Sequence, residues 1–198
     1  MAEQDPVPDI DEEDNPNYKP PAKKELGEIL KADDDDESLR KYKEALLGAG
    51  ASGDVIIIDA NKKNVIVEKL ALCPDDRDEM LLDLSVNLKE IEKKKFIIKE
   101  GCQYKVKIYF YVQRDIVQGL KYIQKTYRAG IKVDTKKLMV GSYGPKKELQ
   151  SYIQPQFEEA PSGMMSRGDY KIESLFTDDD GNEYLKWVWH LAIKKDWE

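Results

Sequence analysis

The sequence predicts an all-β fold, a sandwich of about 145 residues, behind a flexible N-terminal arm that carries a short helix. Three observations carry this reading. Apolar side chains beyond residue 54 recur at every second position, turn residues punctuate those runs, and no long helical period follows residue 48. Half-buried antiparallel strands of this kind must be layered face to face to cover their apolar sides.

The arm is the acidic end of the chain. Residues 1–40 hold 14 acids and five bases, a net of −9, whereas the remainder holds 25 acids and 27 bases, so the overall charge of −7 is local. Five of the nine prolines fall within the first 31 residues, among few side chains worth burying. Such a segment cannot recover its ordering entropy, and residues 1–48 read as a largely mobile arm.

Within it, Asp36 to Leu47 (DESLRKYKEALL) is amphipathic: Leu39, Tyr42 and Leu46 recur at i, i+3 and i+7, and Leu47 widens the stripe. Acids at its start suit the helix dipole, and Gly48 stands where a helix stops. A helix of about three turns is marginal alone. Its stripe must lie on its own domain or in a partner's groove, and periodicity does not choose between them.

A glycine-bearing linker, 49–54, leads into the sandwich at 55–198. Val55 to Ile58 is strand-sized, and Val65 to Leu72, Met80 to Val86 and Phe96 to Ile98 follow. Tyr104, Val106, Ile108, Phe110 and Val112 then alternate with Lys105, Lys107, Tyr109 and Tyr111. Ile116 to Thr126, Ile131 to Val133 and Tyr170 to Phe176 are the next strands, and Trp187, Trp189, Leu191 and Ile193 alternate with Val188, His190 and Ala192. Turns are expected at Asp75-Asp76, Glu100-Gly101, Ala129-Gly130, Gly144-Pro145 and Asp180-Gly181-Asn182.

Several function classes are excluded. A net acidic chain does not neutralise phosphates, which argues against nucleic acid. Cys73 and Cys102 are too few for a disulfide framework and no secretory pattern opens the chain, so a reducing, cytoplasmic setting is expected. No apolar run approaches the length that spans a bilayer, and no stable membrane insertion is expected. The single histidine, His190, has no metal-ligating neighbour in sequence and reads as an ordinary strand residue. The acidic run Asp178 to Asn182 places its glycine too early for a calcium loop and reads as a hairpin turn. Phosphate-loop, dinucleotide and nucleophile-elbow motifs are missing, so no catalytic constellation, cofactor or metal is expected and the chain reads as a non-enzyme.

Seven segments are more specific than any pattern: NYKPP (Asn17 to Pro21), DDESLRKYKEALLG (Asp35 to Gly48), KYIQKTYRAGIKVD (Lys121 to Asp134), MVGSYGP (Met139 to Pro145), EEAPSGM (Glu158 to Met164), FTDDD (Phe176 to Asp180) and AIKKDW (Ala192 to Trp197). In content and order they closely resemble the Rho GDP-dissociation inhibitors. That resemblance implies an immunoglobulin-like sandwich behind a helical arm, and a regulator that binds prenylated, GDP-bound Rho-type GTPases as a 1:1 heterodimer. Nucleotide release would be slowed, and the GTPase drawn from membranes by sequestering its geranylgeranyl group.

By the same resemblance Asp36, Ser38, Leu39, Tyr42, Leu46 and Leu47 would face the GTPase switches, with Asp134 and Asp179 adding contacts from the sandwich. Leu72, Phe96, Tyr104, Ile116, Ile172 and Trp189 would line an isoprenoid pocket, although plain core packing explains their alternation equally well. Glu158 and Glu159 would meet the basic tail ahead of the prenylated cysteine. Where some relatives carry regulatory serines this chain has Glu25 and Asp169, which puts phosphorylation control there in question. A general prenyl-lipid shuttle and a non-lipid sandwich interaction module are the competing readings.

Overall fold

The computed structural model describes residues 55–197 together with 37, 38 and 41. Its fold is the expected sandwich. One sheet has the strand order β2(Met80–Asp83), β1(Val65–Pro74), β4(Gln103–Val112), β7(Gln150–Ile153), with the short β8(Glu158–Glu159) also paired to β4. The other runs β3(Lys95–Lys99), β10(Leu185–Lys194), β9(Gly168–Thr177), β5(Val117–Arg128), β6(Ile131–Tyr143). Pairing is antiparallel except between β10 and β3.

Glu37, Ser38 and Lys41 are helical and exposed, and Lys41 Nζ reaches Glu37 Oε1 one turn earlier at 2.8 Å. Asp36, Leu39, Tyr42, Leu46 and Leu47, and the arm as a whole, otherwise lie outside the described residues.

The strands differ from expectation at several places; β7 and β8 lie where no strand is expected, and β2 stops at Asp83 and not at Val86. β6 is thirteen residues long and not three, because as a sheet edge it carries exposed Lys132, Asp134 and Lys137, which mask its period. Val55 to Ile58 forms no strand; its backbone is held by a loop and a side chain described below. A single helical turn, Leu88–Ile91, interrupts the β pattern, capped by Asn87 Oδ1 accepting from Lys89 N at 3.0 Å and plugging the core with buried Ile91. The β5–β6 turn behaves as read: Ala129 and Gly130 both have positive φ, as a two-residue type I′ hairpin requires.

The two ends of the sandwich are packed differently. At one end large rings fill the space between the layers: Phe110 of one sheet lies 5.4 Å from Phe176 of the other and 4.9 Å from Tyr143, and Tyr122 stacks on Trp187 at 5.9 Å. Toward the other end the facing side chains are mostly aliphatic, Leu72 and Val106 against Ile172, Leu191 and Ile193. There the layers leave space.

Candidate functional site

That space is a cavity of about 540 Å³, within the range of roughly 300–1,000 Å³ usual for ligand pockets. Strand register builds its walls. Ile172 of β9 pairs with Trp189 of β10 on one side and Thr126 of β5 on the other, so three strands present these residues abreast. Opposite them Leu72 of β1 pairs with Val106 of β4, and Tyr104 stands two residues further along β4, the same face of a period-two strand.

Of the residues expected to line a pocket, Leu72, Tyr104, Ile172 and Trp189 do so. Phe96 and Ile116 are outside the lining. Phe96 meets Trp189 edge-on, with ring centroids 5.5 Å apart, and so supports the wall. Ile116 is half-buried just ahead of β5.

A chain of buried polar groups fixes the wall behind Trp189. The indole Nε1 donates to Ser174 Oγ at 2.9 Å, Ser174 Oγ lies 2.8 Å from the Tyr122 hydroxyl, and that hydroxyl donates to Gln124 Oε1 at 3.0 Å. An indole only donates, so Ser174 accepts from it, and because the Tyr122 hydrogen is used on Gln124, the Ser174 hydroxyl donates a hydrogen bond to Tyr122. Gln124 itself lines the cavity, so the chain links core to pocket. Burial pushes the Tyr122 hydroxyl well above its ordinary pKa, and it stays a neutral donor.

Charged residues gather at the rim, Arg128, Asp134, Lys136, Glu158 and Glu159, and of these Glu158 lies opposite Tyr104 in the ladder. It forms an ion pair with Lys136 Nζ and accepts from Gln154 Nε2 at 2.5 Å. Burial first, and then the Glu158 charge, raise the Tyr104 phenol far above its ordinary pKa. Glu159 is exposed and takes a 3.2 Å hydrogen bond from Gln103 Nε2. The two glutamates thus differ: Glu158 is committed to Lys136, and Glu159 is open to solvent.

Asp134 and Asp179 are not brought together. Asp134 sits opposite Thr126 and borders the cavity, whereas Asp179 pairs with Lys121 at 2.7 Å and lies against Gly119. Five to seven residues of β5 separate those levels, roughly 20 Å at about 3.4 Å per residue. They lie at different levels along β5.

His190 is satisfied by backbone, its Nδ1 being 2.9 Å from the Glu92 carbonyl oxygen. Cys73 and Cys102 are free thiols, and burial pushes Cys102 up to about 11. Among the described residues no group of histidine, cysteine and acidic side chains could hold a metal, and no helix is long and apolar enough to cross a membrane.

Lys136, Gln154 and Ser174 escaped sequence reasoning, because a polar residue in a strand or loop carries no mark of what it will face. Val106, Leu191 and Ile193 could have been named, since they continue the alternation of Tyr104 and Trp189.

Comparison with known proteins places these features in context. The family model described as RHO protein GDP dissociation inhibitor matches residues 3–196. The chain is 49% identical to Rho GDP-dissociation inhibitor 1 of Rattus norvegicus over 208 aligned positions, covering all of both chains. It is 46% identical to a probable rho GDP-dissociation inhibitor of Caenorhabditis elegans, covering 90% of this chain and 92% of that one. With Rho GDP-dissociation inhibitor 3 of Bos taurus it shares 44% identity over 92% of this chain and 80% of that one.

Proposed function

The chain belongs to the RHO protein GDP dissociation inhibitor family, and on that premise we propose that it holds prenylated, GDP-bound Rho-type GTPases as a 1:1 complex, slows their nucleotide release and withdraws them from membranes by taking the geranylgeranyl group between its sheets. The observation that supports this most is the open end of the sandwich, walled by Leu72, Ile172 and Trp189. A geranylgeranyl chain has about twenty carbons, and at about 0.8 kcal/mol per buried CH₂ its transfer from water is worth on the order of ten kcal/mol or more. A slot with apolar walls can compete with a bilayer for such a chain.

Inhibition needs no chemistry. A switch region held in its GDP shape cannot rearrange, so exchange slows by population shift and cover. The residues assigned to this are Asp36, Ser38, Leu39, Tyr42, Leu46 and Leu47 on the arm, with Asp134 and Asp179 on the sandwich. The roughly 20 Å that separates the levels of the two aspartates along β5 is within the span of one standard interface of about 800 Å² per partner. A basic tail reaching the rim would meet Glu159 first and would compete with Lys136 for Glu158.

The test uses prenylated Rho GTPase loaded with labelled GDP on liposomes. The protein should slow label release and move the GTPase into the supernatant; label release and membrane association both unchanged from buffer alone would refute the reading.

A further inference from the structure

Outside the cavity, the densest set of side-chain to backbone bonds lies at the β4–β5 connection. Gln113 is wholly buried, and its amide is aimed at the segment that enters the sandwich. Its Oε1 accepts from Ile58 N at 2.8 Å and Asp59 N at 2.9 Å, while Nε2 lies 2.8 Å from the carbonyls of Asp59 and Lys63 and 3.0 Å from that of Lys62. Oxygen facing N–H groups and nitrogen facing carbonyls fix the amide in one orientation.

Arg114 grips the same segment. Its backbone N donates to Ile56 O at 2.8 Å, and its guanidinium donates at 2.8 Å to Lys62 O and to Ala60 O. It does so from a rare backbone state: φ is +66° and Asp115 N donates to Gln113 O at 2.9 Å, the pattern of a γ-turn of the strained hand. Strain of this kind persists only where the surroundings over-determine it, and it concentrates at functional sites.

The segment gains no core burial in return. Val55 is 58% exposed and Ile57 54%, so residues 55–64 lie on the surface, held by polar bonds to the β4–β5 loop and by Lys63 Nζ donating to the Glu183 carbonyl. A stretch fixed without being packed is positioned. It is also the covalent link between residues 1–54 and the sheets.

We infer that Gln113, with Arg114, is a positioning clamp that fixes where the arm leaves the sandwich and so sets its effective concentration at a GTPase held by its lipid. This rests on the proposed division of work between arm and cavity. Releasing the clamp frees residues 55–64, lengthening a six-residue tether, 49–54, to about sixteen. Effective concentration falls as about the −3/2 power of tether length, which gives roughly a fourfold loss.

The experiment compares the full chain with Gln113→Leu, and with Arg114→Gly as a second variant, because glycine accepts the positive φ while removing the guanidinium. Three readouts are taken: hydrogen exchange at the Ile58 and Asp59 amides, capture of a geranylgeranylated C-terminal peptide, and the concentration that half-inhibits GDP release from prenylated Rho. In Gln113→Leu the amides should lose protection, peptide capture should stay within twofold, and the half-inhibiting concentration should rise three- to fivefold; Arg114→Gly should move the same way by less. Lost protection with unchanged inhibition overturns the clamp. Equal losses of inhibition and peptide capture overturn it too, since they report a damaged sandwich. A wild-type chain that leaves GDP release untouched overturns the parent reading, and the inference falls with it.

Discussion

Gly119 and Asp179 meet so closely that a Cβ on Gly119 would fall 1.8 Å from Asp179 Oδ2. The glycine also has φ of +61°, and Asp179 is at the same time paired with Lys121 at 2.7 Å. Position 119 therefore seats the carboxylate that the account assigns to the GTPase. Gly119→Ala should expel Asp179 from that seat and strain the backbone, lowering stability by about 2 kcal/mol. Thermal unfolding reads the stability, and GTPase binding should fall as well; Asp179→Ala, which empties the seat, should lose binding without the stability loss.

The polar chain behind the cavity gives a prediction about its wall. Ser174→Ala strands the Trp189 indole N–H and leaves the Tyr122 hydroxyl one partner fewer, all in buried surroundings. An unsatisfied buried donor costs about 1–3 kcal/mol. A domain of this size loses about 3 °C of Tm per kcal/mol, so calorimetry should show a fall of several degrees. Ser174→Cys, which keeps a weak acceptor, should lose less.

An acid-sensitive strut holds the loop beside the cavity. Glu100 accepts from Arg167 Nε at 2.8 Å and NH2 at 2.7 Å and from the Gly163 amide at 3.0 Å, and Arg167 holds its carboxyl below the usual range, with Gly163 assisting. A depressed carboxyl contributes stability that is complete above its unfolded value of about 4.3 and is lost as pH falls through the lower folded value. Hydrogen exchange at Gly163 N should therefore accelerate only below about pH 4, relative to neighbouring amides, and Glu100→Gln should remove that pH dependence.

The legible part of this molecule was its alternating strands. Tyr104 to Val112 and Trp187 to Ile193 carry period two because one face is buried, and that pattern survives in sequence. β6 reads short in the sequence because an edge strand alternates weakly, and β7 and β8 leave no trace there because four and two residues are too few to show a period. In the candidate site, Leu72, Ile172 and Trp189 could be named by resemblance and alternation. Whether an inward residue lines a cavity or fills a core depends on the ring sizes opposite it, as Phe110 and Phe176 show at the closed end, and that is a property of layer spacing. The Gln113 clamp was invisible because all of its partners are backbone atoms, which a sequence does not distinguish.

The cavity reading makes Ile172 a sharp probe. It is buried at the centre of three paired strands, and a carboxylate there would have to be desolvated beside a hydrocarbon. Ile172→Asp should weaken capture of a geranylgeranylated peptide by at least about a hundredfold. Ile172→Val, which removes one methylene, should weaken it by less than about tenfold, and this milder variant separates a lipid effect from loss of the fold.

The central claim, that the open end of the sandwich is an isoprenoid site, is tested most directly by titrating the protein with a Rho C-terminal peptide with and without its geranylgeranyl group in a calorimeter at several temperatures. The account predicts that the modified peptide binds at least about a thousandfold more tightly, with a negative heat-capacity change from buried apolar surface. Equal affinity for the two peptides, or lipid-dependent binding that Ile172→Asp leaves unchanged, would contradict it.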